Sequence, residues 1–507
     1  MYDIAIIGAG IIGSMLARQL SHTQASILLL EKTADVGSGA TMANSAIIHS
    51  GWDPEEGTLK AELNVEGSRM FKLLCRELGV SYSQCSAFLA ATSGEEETVL
   101  RERVARAKTR GVPAEILSRE EAVRAEPNLS DHVTLVAELP TTAIVNPWEL
   151  AIACAEEAVL NGVTLLLNAE VKRITREENS AGGFFYIKTI QGTFEARIVI
   201  NCAGVYADML AEKAEGKKSF SITPRRGEYF VIDKLKKPVV SRVMYPVPSS
   251  VGKGVLAVPT VDGNLLVGPN ALDISDREGV NTTAEGLEFV LNRAGQLVKN
   301  IPMDKIIRQF AGLRAKGNNG DFYIRESDTI PALIHVACID SPGLSSAPAI
   351  ARYVSETILP RYIKLIPKEE IKHRRPTLRL DHMDPGEKAR LIASDPSFSN
   401  MICRCEQISE GEILDAIRRP AGARTVKGVK KRARPGMGRC QGGFCEPRVV
   451  EILARELKVK PTDVTYDGEK SYLFSRRSGE IKSDLGYDEQ EEQDEISLAE
   501  EELWKGD

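Results

Sequence analysis

The sequence predicts an α/β domain on a parallel sheet, an α+β domain with a mixed antiparallel sheet inserted into it, and a small helical domain at the C-terminal end. Three observations predict this. A short apolar strand runs through a glycine-rich turn into an apolar helix at the N-terminus; two stretches of mixed strands and helices interrupt the later strand–helix scheme; and four of nine cysteines gather in the last quarter of the chain. A chain of 507 residues is too long for one hydrophobic core, and 43% apolar residues can fill several.

Taken in order, "YDIAIIG" reads as a buried strand ending in Gly8, Gly10 and Gly13, "IIGSMLARQL" has helical spacing, and "SILLLEK" resumes as a strand. From Trp148, "WELAIACAEEAVLNG" is a helix with a glycine stop, followed by strands in "VTLLLNAEVKRITRE", "GGFFYIKTIQ" and "GTFEARIVINCAG". A strand and helix in "ALIHVACIDSPGLSSAPAIARYVSETI" return to the first domain. We therefore expect the first domain at 1–82, 146–218 and 326–365, and the inserted domain at 83–145 and 219–325. A charged, proline-rich linker or embracing arm at 366–396, a helical unit at 397–465 and an acidic tail at 466–507 complete the chain.

The formal charge of −6 offers no general attraction to nucleic acid or anionic lipid. "IAIIGAGIIGSMLA" is broken by three glycines and lacks a basic n-region, so it is neither a signal peptide nor a membrane span, and a cytoplasmic protein is expected. Cys75, Cys85, Cys154, Cys202 and Cys338 lie scattered among apolar or helical residues and read as buried free thiols.

Gly8-Ala9-Gly10-Ile11-Ile12-Gly13 is a G-x-G-x-x-G pattern between a strand and a helix, the Rossmann-like context for a dinucleotide. The first glycine allows the tight turn, the second lets backbone approach a pyrophosphate, and the third lets helix and strand pack closely. The pyrophosphate rests on unpaired N–H groups at the helix N-terminus. Glu31, 21 residues past Gly10, is placed to accept hydrogen bonds from the adenosine ribose. There is no second such motif with strand context downstream, which speaks against a nicotinamide site in the same chain.

The loop "VGSGATMANSAIIHSGW" with "VINCAGVYAD", "AGLRAK" and "SPGLSSAPAIA" resembles the FAD-dependent D-amino-acid oxidase and glycerol-3-phosphate dehydrogenase superfamily, over about residues 1–365. The resemblance implies that Gly8, Gly10, Gly13, Glu31 and Lys32 serve the ADP half of FAD, and that Thr41, Asn44 and Ser45 contact its diphosphate or ribityl part. It implies that Val171 meets the adenine, that Ala203 and Gly204 line the diphosphate, and that Gly343, Leu344, Ser345 and Ser346 bring a helix N-terminus towards the flavin ring. There the helix dipole would stabilise the negative charge of reduced flavin.

Of six histidines, His49 alone lies in a flavin-loop motif. It could take a hydroxyl proton while the flavin receives hydride from the same carbon, or it could position the flavin. Arg314 matches the place where this superfamily holds an arginine over the ring; its planar fork pairs two oxygens of an anionic substrate. Ala315 and Lys316 stand where many members have proline. Arg226, Tyr229 and Tyr245 are further candidates for the substrate pocket. "HSGWDPEEGTLKAELNVEG", "RGEYF", "YPVP" and "TVDGNLLVGPNA" look like L-2-hydroxyglutarate oxidases and dehydrogenases, and also like anaerobic glycerol-3-phosphate dehydrogenases.

Cys403, Cys405, Cys440 and Cys445 form C-x-C-x34-C-x4-C, which can hold zinc or an iron–sulfur cluster. Neither pair has the C-x2-C gap of a zinc ribbon. The segment resembles the domain of bacterioferritin-associated ferredoxin, which implies a 2Fe-2S cluster, with "GEILDAIRR" and "EPRVVEILAREL" as two helices around it. Lys430, Lys431, Arg432, Arg434 and Arg439 read either as an offset to the cluster's negative charge or as a solvated face.

The resulting expectation is an FAD-binding Rossmann-like domain, an inserted α+β substrate domain and a helical iron–sulfur domain. Together they would form a dehydrogenase for an anionic secondary alcohol, foremost glycerol 3-phosphate. Electrons would pass from FAD through a 2Fe-2S cluster to a separate flavoprotein or iron–sulfur subunit, and the chain could form an oligomer. The alternatives are a dehydrogenase or oxidase of L-2-hydroxyglutarate, another 2-hydroxy acid or an amino acid, and a redox-sensing or scaffold subunit.

Overall fold

Strand Tyr2–Ile7 lies between Ile27–Leu30 and Gly192–Asn201, parallel to both. Its alternation divides two cores: Ile4 and Ile6 face one, Ala5 and Ile7 the other. Burial on both faces is why this strand reads as a continuous apolar run. Thr164–Leu166 extends the sheet on one side and Leu333–Ala337 on the other, both parallel, while the hairpin arms Val171–Asn179 and Gly182–Thr189 are antiparallel. Helices Ile11–Ser21, Pro147–Leu160 and Gly343–Tyr353 contribute Leu16, Ala151 and Ile350 to the core on one face. The computed structural model describes residues 1–179, 182–248 and 254–475, so 476–507 of the acidic tail lie outside the described residues.

A second, largely antiparallel sheet is built from both intervening stretches. Ile222–Ile232 pairs along its length with Ile306–Gly317, and Ala87–Ala91 pairs in parallel with Val243–Pro246. Helix Gly94–Thr109 covers one face through Leu100 and Val104, and Ala284–Ala294 covers the other through Val290. Two details differ from the expected boundaries. Strand Tyr323–Glu326, split by a boundary at 325, pairs wholly with the first sheet. Ile47–Ile48, Tyr82–Ser83 and Ala143–Val145 make a small third sheet, so chain from both expected segments meets there.

The segment after 365 wraps the first domain as an arm: Arg374 reaches Glu156 at 2.7 Å, and Arg379 reaches Glu149 at 3.2 Å and Asp262 at 3.4 Å. The C-terminal unit has its own core around Ile413, Val429, Val450 and Leu453. Its helices include the two foreseen, Glu410–Arg418 and Glu446–Leu457, and a third, Val426–Ala433, made by the basic run. No helix among the described residues is long and apolar enough to cross a membrane.

Candidate functional site

A cavity of about 2250 Å3 runs between the two large sheets and reaches the C-terminal unit. One end is made by the glycine turn. Gly8 has φ +104°, and a Cβ on Gly13 would lie 1.9 Å from the Gly8 carbonyl oxygen, so helix and turn meet at a distance only glycine permits. Gly8 and Gly10 line the cavity, whereas Gly13 lies behind them, as its packing role requires. Thr41 Oγ1 accepts the Ile11 N–H at 2.9 Å and so holds the loop 36–45 over the helix start. Glu31 accepts the Ala9 N–H at 2.8 Å and the Thr33 N–H at 2.9 Å; Lys32, Val171, Ala203 and Gly204 stand on the same wall. This long groove, with a glycine cradle at one end and acceptors for ribose hydroxyls beside it, fits the ADP half of FAD.

At the other end stand His49, Asn44, Ser45, Gly343 and Leu344. Helix Gly343–Tyr353 starts there without a side-chain cap, leaving N–H groups for a ligand. Ser345 and Ser346, expected at the cofactor, are fully buried and do not line the cavity. Ser345 instead accepts the His49 N–H at 2.7 Å, and Ser346 donates to the Pro342 carbonyl at 3.2 Å, so both hold the loop and helix that form the wall.

Tyr245, expected as a pocket residue, is also corrected: it is fully buried, absent from the cavity wall, and lies behind His49 with its hydroxyl 2.9 Å from Nδ1. Burial raises its pKa well above the usual value and keeps it a phenol. Tyr229 does line the cavity, stacked on Phe310 at 4.6 Å and hydrogen-bonded to Ser45 at 3.2 Å, tying the second sheet to the loop.

Two of the arginines on the cavity wall, both expected at the substrate, differ in their electrostatics. Arg226 is 7% exposed and spends its charge on Glu228 at 3.3 Å. Arg314 forms no ion pair among the described residues; its one hydrogen bond is a long one to the Asn270 carbonyl, 3.5 Å. Of these two, Arg314 is therefore the one without a counter-charge and open to an anionic ligand.

The four thiols come as two pairs. Cys405 and Cys440 have their sulfurs 3.7 Å apart, the spacing of two thiolates on one tetrahedral metal with bonds of about 2.3 Å. Cys403 and Cys445 form the other pair, and the Cys445 thiol, with the N–H groups of Gly436 and Glu406, lowers the pKa of Cys403 against the cost of burial. No group of three or more such donors converges for a single ion among the described residues. Two pairs suit two irons better than one zinc. By contrast, burial pushes Cys154, Cys202 and Cys338 up to about 12 and leaves them inert; Cys85 is half-buried rather than buried.

The basic run is not a solvated face. Arg432 binds Asp35 through both nitrogens at 2.7 and 2.8 Å, and Lys431 binds the same carboxylate at 2.9 Å. Arg434 binds Asp262 at 2.6 Å and Glu406 at 3.1 Å, and the more exposed Arg439 binds Asp233 at 2.9 Å. The run docks the third domain onto the other two. Asp35 was not foreseen; its only signal is a lone acid in the small-residue loop after Glu31.

Lys430 differs from these. It is 5% exposed, its ammonium has no hydrogen-bond partner among the described residues, and burial lowers its pKa to about 8, which leaves it charged at neutral pH. Its side chain passes 3.7 Å from where a Cβ on Gly436 would sit, and Gly436 donates to Cys403. An orphaned buried cation here fits an anionic cluster on the thiols. Lys430→Met is expected to lower the cluster's equilibrium constant for reduction by about tenfold, or about 59 mV for one electron. A redox titration followed by electron paramagnetic resonance checks this, and an unchanged midpoint refutes it.

Comparisons with known proteins agree with this geometry. Residues 3–357 match the FAD dependent oxidoreductase family (DAO), and residues 401–455 match the BFD-like [2Fe-2S] binding domain. The chain is 45% identical over 488 residues to a glycerol 3-phosphate dehydrogenase of Caloramator mitchellensis, covering 96% of this chain and all of that one. It is 35% identical over 284 residues to an L-2-hydroxyglutarate dehydrogenase of Escherichia coli, covering 55% and 66% of the two chains. Among solved structures, the dithionite-reduced, FAD-bound L-α-glycerophosphate oxidase of Mycoplasma pneumoniae superposes with a TM-score of 0.70 at 28% identity, over 75% of this chain and 99% of that one.

Proposed function

The chain belongs to the FAD dependent oxidoreductase family and binds FAD and a 2Fe-2S cluster; on that premise we propose that it oxidises glycerol 3-phosphate to dihydroxyacetone phosphate and passes the electrons through the cluster to a partner. The observation that carries this is Arg314, an uncompensated cation on the wall shared with His49. Similarity to the Caloramator enzyme supports it: with 96% of the chain matched, the match includes the cysteine-bearing domain.

When bound, FAD supplies the acceptor for the hydride on the substrate's carbinol carbon, and the cluster supplies a one-electron outlet. Arg314 grips the phosphate with its fork and fixes that carbon in the cavity. His49 takes the hydroxyl proton on Nε2, which requires Nδ1 to carry the other proton and donate it to Tyr245. Ser345 and the Asn64 amide, which donates to the His49 carbonyl at 2.9 Å, hold the backbone of the base. Tyr245→Phe removes the orienting partner; flavin reduction is expected to slow about 2- to 10-fold, the worth of one hydrogen bond, with an altered pH profile. An unchanged profile refutes that role.

The E. coli relative makes L-2-hydroxyglutarate the second reading, since a guanidinium fork holds a carboxylate as well as a phosphate. Anaerobic photometry with each compound decides. Glycerol 3-phosphate is expected to bleach the flavin first and the cluster after it. Bleaching by L-2-hydroxyglutarate alone overturns the substrate, and a cluster that stays oxidised beside a bleached flavin overturns the electron route in favour of a sensor or scaffold role.

A further inference from the structure

Resting on an electron outlet through the cluster, we propose that the surface around Cys405, Cys440 and Phe444 is the docking face for a small acidic one-electron carrier protein. The two thiol pairs differ in access. Cys403 and Cys445 are 1% and 2% exposed, whereas Cys405 is exposed and Cys440 half-buried. One edge of the cluster site therefore reaches the surface, where a carrier can approach.

Phe444 stands in the loop between Cys440 and Cys445 and is 85% exposed, the highest among the large apolar side chains exposed in the described residues. Its ring has nothing to bury it among the described residues. A lone aromatic beside an exposed redox ligand has the character of an interface anchor, since buried aromatics dominate the energy of such contacts.

Charge selects the occupant. Arg404, between Cys403 and Cys405, is exposed and forms no ion pair among the described residues. Arg308 meets the neutral Gln441, at 3.1 Å beside Cys440, and the neutral Tyr466, and forms no ion pair among the described residues. Arg439 and Arg448 are exposed in the same loop and helix start, although Asp233 and Glu451 offset them. A rim with two uncompensated arginines, on a chain with formal charge −6, is a local reversal of sign and steers an acidic surface to this edge. Each encounter transfers one electron: the carrier is reduced, the cluster is reoxidised, and two encounters complete one substrate oxidation.

The test uses holoenzyme reduced by dithionite and freed of excess reductant, mixed in stopped flow with cytochrome b5, an acidic haem carrier, or cytochrome c, a basic one. Cytochrome b5 is expected to be reduced at least tenfold faster, with a rate that falls as salt rises. Arg404→Glu and Phe444→Ser are each expected to slow it tenfold or more while the rate of flavin bleaching by substrate stays as in the parent protein. Equal or faster reduction of cytochrome c, or variants that leave both carrier rates unchanged, overturns the docking face. Because dithionite sets the starting state, failure of substrate to reduce the cluster overturns the electron route alone, and the carrier preference is still read.

Discussion

Asparagine in place of His49 lowers the rate of flavin reduction by glycerol 3-phosphate about 10²- to 10⁴-fold, the range spanned by a positioned general base, with FAD still bound. The expectation follows from the placement of the imidazole on the cavity wall, with its backbone held by Ser345 and Asn64 and one ring nitrogen held by Tyr245. Asparagine preserves the polar backbone contacts and cannot exchange a proton. His49→Asn is expected to lower the rate at every pH read, because the amide cannot take the hydroxyl proton. Single-turnover photometry across pH 5–9 reads the effect. A rate within twofold of the parent reduces His49 to a residue that merely positions the flavin.

Asp35→Asn leaves Lys431 and Arg432 buried without their counter-charge, and breaking a buried pair from one side costs about 3–5 kcal/mol. Local opening of helix Val426–Ala433 is then expected to rise roughly 10²- to 4 × 10³-fold, since 1.4 kcal/mol is about a factor of ten. Hydrogen exchange of that helix reads the change, with Ile11–Ser21 as the internal reference. Protection equal to the parent's refutes the pair as the main fastening. Burial opposes ionisation of Asp35, yet Arg432 and Lys431 hold its pKa below the usual carboxylate range. The sign is that of a depressed acid: its contribution is complete above the unfolded value of about 3.9 and is lost as pH falls towards the folded one. Docking is therefore expected to be indifferent to pH between 5 and 8.

The strand–turn–helix unit was legible because its constraints are local: Gly8 and Gly13 touch each other, and the strand before them is apolar at every position that must be buried. The four cysteines were legible as ligands by type and spacing, although only coordinates show which thiol pairs with which. What sequence could not reveal lies in contacts between distant segments. Arg432 meets an acid 397 positions earlier, so the basic run looked free when read along the chain. Tyr245 lies 196 positions from His49 and faces it from behind, which no local pattern encodes. Arg314 stood out by its place in the family pattern and Arg226 only as a further pocket candidate; the ion pair of Arg226 with Glu228, two positions on, is local but was not read from the sequence.

A single short stretch, Lys431 to Arg434, grasps Asp35 of the first domain and Asp262 of the second at once. The third domain thereby bridges the seam between the other two, so any gaping of that seam has to break these buried ion pairs first.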